Sequence, residues 1–212
     1  MNKSTIDYSL YLVTDRKLTL GRDLLHVIEE SIIGGVSIVQ LREKKCSSRE
    51  FYNIAVKVAQ LTKKYNIPLI INDRLDIALA VNAQGLHIGQ SDLPYSIARK
   101  ILGKDAIIGL SVESVQDAID AEGLDVDYLG ISPVFSTNTK TDIAQPLGLE
   151  GIKEIKKLSS HKLVAIGGIN IQNTNDIIKA GADGIAVVSA ICSADSPRRA
   201  SEELRRELII SN

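Results

Sequence analysis

The chain is short of several residue types, and each scarcity narrows what it can be. Its 212 residues include two cysteines and three histidines. Cys46 and Cys192 are far apart and stand in no CxxC context, which reads as free thiols in a reducing cytoplasm. His26 and His161 read as surface residues and His87 as a packed, hydrogen-bonded residue within a strand, so histidine supplies no metal set. Net charge is almost nil: 25 Lys and Arg against 26 Asp and Glu leave −1, which offers neither a nucleic-acid surface nor an acidic tail. No apolar run is long enough to span a membrane, and Met1-Asn2-Lys3-Ser4 leads into no signal-type hydrophobic segment. No linker, low-complexity stretch or GxGxxG turn after the first strand is present. What remains is 44% hydrophobic and 24% charged, ordinary for a soluble globular protein, and long enough for one large α/β domain over residues 1–212.

Strand-like and helix-like segments alternate from end to end. Ser9 to Val13 is a β-rich run, and Asp23 to Ile33 carries apolar residues at helical spacing up to Gly34-Gly35. A second strand runs through Val39, and Ser47-Ser48-Arg49-Glu50 is a capping box for a helix reaching about Tyr65. Further strands are read at 68–71, 85–88, 106–111, 127–131, 163–166 and 184–188. Helices are read at 75–81, 94–102, 113–121, 149–158 and 173–180, with a last helix opened by Pro197. Eight β-then-α units in about 200 residues match a compact (β/α)8 TIM barrel. The near-continuous apolar strands suit a parallel sheet covered by helices. An open doubly wound sheet is the alternative.

Chemistry gathers where strands end. Side chains alternate along a strand, so Gln40, Arg42 and Lys44 point one way: an amide, a guanidinium and an ammonium. Alone, this is either a solvated strand end or a polyanion site with Arg42 as fork and Lys44 as point charge. Other strand ends carry the same theme. The third gives Asn72 and Asp73, the fourth Asp92, the fifth Ser111, and the loop after the sixth Thr137, Thr139 and Lys140. The seventh gives Gly167-Gly168 and the eighth Val188-Ser189. Asp73 and Asp92 read equally as local caps. Taken together, donors, two well-separated carboxylates, hydroxyls and glycine turns suit a Mg²⁺-bound polyphosphate with a second phosphate nearby. Adjacent barrel units would present both aspartates to one ion.

The motifs Gln40-Leu41-Arg42-Glu43-Lys44, Ile71-Asn72-Asp73, His87-Ile88-Gly89-Gln90-Ser91-Asp92, Thr137-Asn138-Thr139-Lys140, Ile166-Gly167-Gly168-Ile169 and Gly181-Ala182-Asp183-Gly184 resemble the thiamine phosphate synthase family, in order and over nearly the whole chain. The resemblance implies a barrel that joins a pyrimidine diphosphate to a thiazole phosphate with release of pyrophosphate. By position, Gln40, Arg42, Lys44 and Asn72 would hold the pyrimidine diphosphate, with Glu43 of the same motif in the substrate-binding set. Asp73 and Asp92 would hold Mg²⁺, Ser111 would contact the pyrimidine side, and Lys140 the pyrophosphate. Thr137, Asn138, Thr139, Gly168 and the Val188-Ser189 backbone would hold the thiazole phosphate. Arg42, Lys44, Ser111 and Lys140 would be the catalytic residues. A thiazole tautomerase of the same barrel type would lack the paired aspartates and carry a histidine after the sixth strand, where this chain has Pro133. A catalytically silent phosphate-binding barrel is the third reading. The implied partners are these small molecules, with no nucleic acid and no membrane; monomer and homo-oligomer are equally open.

Overall fold

A computed structural model describes residues 3–136 and 145–211. The described strands are β1 (Leu10–Val13), β2 (Ile38–Leu41), β3 (Leu69–Asn72), β4 (Gly85–Ile88), β5 (Ile107–Val112), β6 (Tyr128–Ile131), β7 (Lys162–Ile166) and β8 (Gly184–Val187). The helices are α1 (Leu24–Ile33), α2 (Ser48–Lys64), α3 (Leu75–Ala80), α4 (Tyr95–Leu102), α5 (Val115–Ala121), α6 (Gly148–Leu158), α7 (Ile171–Lys179), α8 (Ser189–Cys192) and α9 (Pro197–Ser211). All strands are parallel, and each pairs with the next. β8 returns to pair with β1 through Leu10↔Ile185 and Leu12↔Val187, so the sheet is a closed barrel. The fold is a (β/α)8 barrel, as the alternation of elements indicates.

Strand and helix boundaries fall within a residue or two of those read from the sequence. The clearest difference is α8, a short helix directly after the eighth strand, where no helix is read from the sequence. The order in which residues turn inward builds two cores. Residues on the outer faces of the strands meet the helices, as with Leu41, Ile71, Leu86 and Leu129, all fully buried. Inside the barrel lie Tyr11, Val13, Ile38, Ile70, Ile107, Tyr128, Val164 and Ala186, with Tyr8 beneath them.

Two aromatic rings in so narrow a space need glycine opposite them. A Cβ on Gly109 would lie 2.1 Å from the Tyr128 Cζ, and one on Gly130 would lie 3.0 Å from the His87 Cε1. Gly184 fills a similar role. It starts β8 at the amino end of the barrel, where a Cβ would lie 1.9 Å from the Tyr8 carbonyl oxygen.

Candidate active site

The carboxyl ends of the strands surround a cavity of about 500 Å³. Gln40, Arg42 and Lys44 all line it, so the alternation of β2 persists beyond its last paired residue. Gln40 is 5% exposed and reaches inward. The Arg42 N–H donates to the buried Thr14 Oγ1 at 3.1 Å, and its guanidinium lies 3.8 Å from Asp15. Glu43, on the opposite parity, does not line the cavity. Its carboxylate pairs with Arg16 at 2.8 Å, and Arg16 also holds Glu50. Burial pushes the Glu43 carboxyl up against the pull of Arg16. In this arrangement Glu43 braces the loop that carries Arg42 and Lys44.

Asp73 and Asp92 come together at the cavity wall. Asp73 follows β3 in a left-handed conformation, φ 61°, held by its N–H donating to the His87 carbonyl at 2.9 Å. A non-glycine residue there is uncommon and marks a constrained position. Asp73 does not cap α3, whose N-cap is Arg74 with no side-chain cap bond. Its carboxylate is instead paired with the Lys44 ammonium. Asp92 closes its own turn, accepting the Gly89 N–H at 2.7 Å. Burial pushes the Asp92 carboxyl up, the Gly89 N–H opposes this, and the adjacent Asp73 carboxylate raises it further, against Lys44. Two carboxylate groups crowded in this way favour a shared cation.

The donor set fits a hard divalent ion. Among the described residues no group of three or more His, Cys, Asp and Glu forms a metal cluster. Two carboxylates with room for water and phosphate oxygens match the way Mg²⁺ is usually bound, through few protein ligands. Both cysteines are free. Burial pushes the Cys46 thiol up, with Glu43 and Glu50 adding to it, and burial takes Cys192 up to about 11, so neither is an activated nucleophile.

Asn72, 8% exposed, and Ser111 complete the polar wall. The Gln90 amide donates to the Ser111 carbonyl at 2.7 Å, tying the turn after β4 to β5. Gly167 and Gly168 follow β7 at φ 103° and 65°. A Cβ on Gly168 would lie 2.8 Å from the Ser136 carbonyl oxygen, so the backbone there passes too close to the β6 loop for a side chain. Val188 is the N-cap of α8, and Ser189 lines the cavity at its first turn. First-turn amides lack intrahelical acceptors, which places donors beside the Gly168 turn. Thr137, Asn138, Thr139 and Lys140 lie outside the described residues.

Sequence reading missed Tyr11 and Tyr128, whose rings reach the cavity floor. Aromatic residues inside apolar strands look like ordinary core. Glycines at one strand's spacing from them, Gly109 and Gly130, were the available signal. His87 is the packed, hydrogen-bonded residue expected, and it also lines the cavity. His161 is not a surface residue: its side chain is 13% exposed, and its ring nitrogen lies 3.1 Å from the Ala121 carbonyl oxygen.

Fold and site together define a (β/α)8 barrel with a polar cavity at the strands' carboxyl ends, where enzymes of this fold carry their active sites. Comparison with known proteins makes it a transferase. The family profile described as thiamine monophosphate synthase matches residues 10–191, and the chain belongs to that family. It is 52% identical over 199 residues to the thiamine-phosphate synthase of Clostridium novyi (strain NT), covering 94% of this chain and 98% of that one. The thiamine-phosphate synthase of Clostridium tetani (strain Massachusetts / E88) is 52% identical over 204 residues, 96% and 97% of the two chains. Thiamine phosphate pyrophosphorylase from Pyrococcus furiosus superposes with a TM-score of 0.89 at 39% identity, over 97% of this chain and 98% of that one. Thiamine-phosphate synthesis is the activity shared with these relatives. Among the described residues no helix is long and apolar enough to cross a membrane.

Proposed function

We propose that the chain joins 4-amino-2-methyl-5-pyrimidinylmethyl diphosphate to a thiazole phosphate, giving thiamine phosphate and pyrophosphate by a dissociative substitution assisted by Mg²⁺. The observation that carries this reading is the Asp73–Asp92 carboxylate pair beside Lys44, on the wall of a cavity that Arg42 also lines. A thiazole tautomerase has no use for such a pair.

Asp73 and Asp92 would hold Mg²⁺, which when bound neutralises charge on the diphosphate as it leaves. Arg42 and Lys44 face the same cavity and stabilise that charge by fixed, preorganised attraction. Lys140 is assigned to the leaving pyrophosphate on the resemblance. Gln40, Asn72 and Ser111 orient the pyrimidine. The Gly168 turn and the first turn of α8 hold the thiazole phosphate by backbone donors. The bond from the pyrimidine's methylene carbon to the diphosphate oxygen breaks with its electron pair leaving on oxygen, and the amino-pyrimidine ring delocalises the positive charge on carbon. The thiazole nitrogen then supplies its lone pair to that carbon. No proton is removed, so the mechanism needs no general base. Side-by-side binding of the two reactants provides the remaining acceleration.

The test is to mix both phosphorylated substrates with the protein and Mg²⁺ and to measure thiamine phosphate and pyrophosphate together. Stoichiometric formation of both is expected. Absence of pyrophosphate release with both substrates present would overturn the reading.

A further inference from the structure

Five side chains form a continuous hydrogen-bonded chain across the barrel floor. The Gln40 Nε2 donates to the Tyr11 hydroxyl at 3.0 Å, and the Tyr11 and Tyr128 hydroxyls lie 2.7 Å apart. The Tyr128 hydroxyl lies 2.9 Å from the His87 Nδ1, and the His87 Nε2 lies 2.9 Å from the Ser111 Oγ. The chain begins and ends on residues that line the cavity, Gln40 on β2 and Ser111 on β5. Tyr11 and Tyr128 are each 1% exposed, and the His87 ring stacks on that of Tyr128 with centroids 5.5 Å apart.

Counting protons along this chain gives it a direction. A phenol has one proton to donate. Burial pushes both phenols well above their ordinary pKa, so each keeps that proton. Tyr11 accepts from the Gln40 amide, which leaves its own proton for the Tyr128 oxygen. Tyr128 must then donate to His87 Nδ1, which therefore carries no proton. The ring proton is on Nε2 and is donated to Ser111 Oγ. With that oxygen accepting from His87, the serine proton is turned away from the histidine. Rotating the Gln40 amide by half a turn would reverse every one of these bonds.

We propose that the Gln40 amide sets the polarity of this chain, fixes His87 as the Nε2–H tautomer, and presents Ser111 to the ligand as a hydrogen-bond donor. Tyr11, Tyr128 and His87 are positioning residues, acting through Ser111. The ligand atom facing Ser111 is then an acceptor. On the reading given under Proposed function, that atom is a pyrimidine ring nitrogen rather than the exocyclic amine. The Gln40 Oε1, left over from the bond to Tyr11, is the complementary acceptor. The pattern selects an aromatic heterocycle carrying both an acceptor nitrogen and an amino group over one carrying only donors.

The experiment is ¹⁵N NMR of histidine-labelled, ligand-free protein, with the His87 ring signals assigned by their loss in His87→Gln. The expected spectrum has a protonated Nε2 and an unprotonated Nδ1. A protonated Nδ1, in either the neutral ring or the imidazolium, overturns the assigned polarity. Gln40→Glu replaces the donor with an acceptor and should reverse the tautomer; an unchanged tautomer removes Gln40 from its controlling role. Should that variant fail to fold, Tyr11→Phe removes the first two links of the chain and should give a mixture of tautomers. Tyr11→Phe should also raise KM for the pyrimidine substrate about tenfold, the scale of one buried hydrogen bond, with KM for the thiazole phosphate unchanged. Equal changes in both would show a merely structural role. The spectrum needs no substrate. A correct tautomer in a protein that releases no pyrophosphate would therefore spare this inference and sink only the proposed reaction.

Discussion

Asp183 and Leu163 grip each other twice: the Asp183 carboxylate accepts the Leu163 N–H at 3.0 Å, and the Asp183 N–H donates to the Leu163 carbonyl at 2.8 Å. The arrangement repeats around the amino end of the barrel. Asp127 holds Ile108 in the same two ways, each at 2.8 Å. Ser37 accepts the Leu10 N–H at 3.2 Å and donates its own N–H to the Leu10 carbonyl at 2.8 Å. Gln84 accepts from the Leu69 N–H at 2.9 Å. Each acceptor immediately precedes an even-numbered strand, and each donor lies at or next to the start of the odd-numbered strand before it. Strand starts would otherwise leave buried amides unpaired, at a cost of about 1–3 kcal/mol apiece.

Asp183 also pairs with Lys162 and Lys156, at 2.8 and 3.1 Å. Burial works to raise its pKa, but the Lys162 contact, the Leu163 N–H and Lys156 together hold it below the ordinary 3.8. A carboxyl depressed on folding stabilises the protein above its unfolded pKa, and that stabilisation is lost as pH falls through the folded value. Asp183→Asn is therefore expected to lower stability by about 1 kcal/mol near neutral pH, with the gap to wild type closing below about pH 3.8. Denaturant melts of the two proteins across that range measure it. A gap independent of pH would mean the charge contributes nothing. The turnover rate should not change, because the residue is at the opposite end from the cavity.

Gly109→Ala is expected to be severe. The added methyl would fall on the Tyr128 ring, which is fully enclosed and has nowhere to move without breaking its bonds to Tyr11 and His87. The cost is about 3 kcal/mol or more, read as a lower Tm or insoluble protein. Gly123→Ala is the control: no heavy atom lies within 4 Å of its added Cβ, and the change should be close to neutral.

Asp92→Asn separates a metal ligand from a turn-forming residue. Asparagine can still accept the Gly89 N–H, and it removes the repulsion between Asp92 and Asp73. Metal-free Tm should stay level or rise, by no more than about 2–4 °C, the shift that ~1 kcal/mol produces in a chain of this size. The rise in Tm that Mg²⁺ gives the wild type should shrink, and the Mg²⁺ concentration for half-maximal rate should increase. Asp73→Asn should act in the same direction, and the double change should abolish turnover. An unshifted Mg²⁺ requirement in both single variants would return these aspartates to purely local roles.

Lys140→Ala is expected to lower kcat by about 10²-fold, the scale for removing one charge-stabilising donor. A steady-state comparison of kcat and KM checks it. A change confined to KM would assign Lys140 to uniform binding rather than to the leaving group.

Much of the cavity could be read from the chain because strand periodicity is strict. Gln40, Arg42 and Lys44 share a parity, and all three reach the cavity, whereas Glu43 has the other parity and turns to Arg16. The eight strands were visible because parallel strands covered by helices are apolar throughout. Two kinds of feature were hidden. Tyr11 and Tyr128 lie inside apolar runs, and their polar roles depend on a partner more than one hundred positions away, Tyr128 being 117 residues from Tyr11. The helix α8 is a single turn whose apolar side chains carry no period long enough to distinguish it from the end of a strand.

Arg22 ties the first unit of the barrel to the last. Its guanidinium donates to the Cys192 carbonyl at 2.7 Å and to the Ala194 and Asp195 carbonyls at 2.6 and 3.3 Å, while its Nε holds Thr19 at 2.9 Å. One side chain from the first unit thus fastens the carboxyl end of the short helix in the last. The clasp lies beside the β1–β8 seam and just past the Val188–Ser189 corner of the cavity, so one side chain of the first unit steadies the part of the site that the last unit supplies.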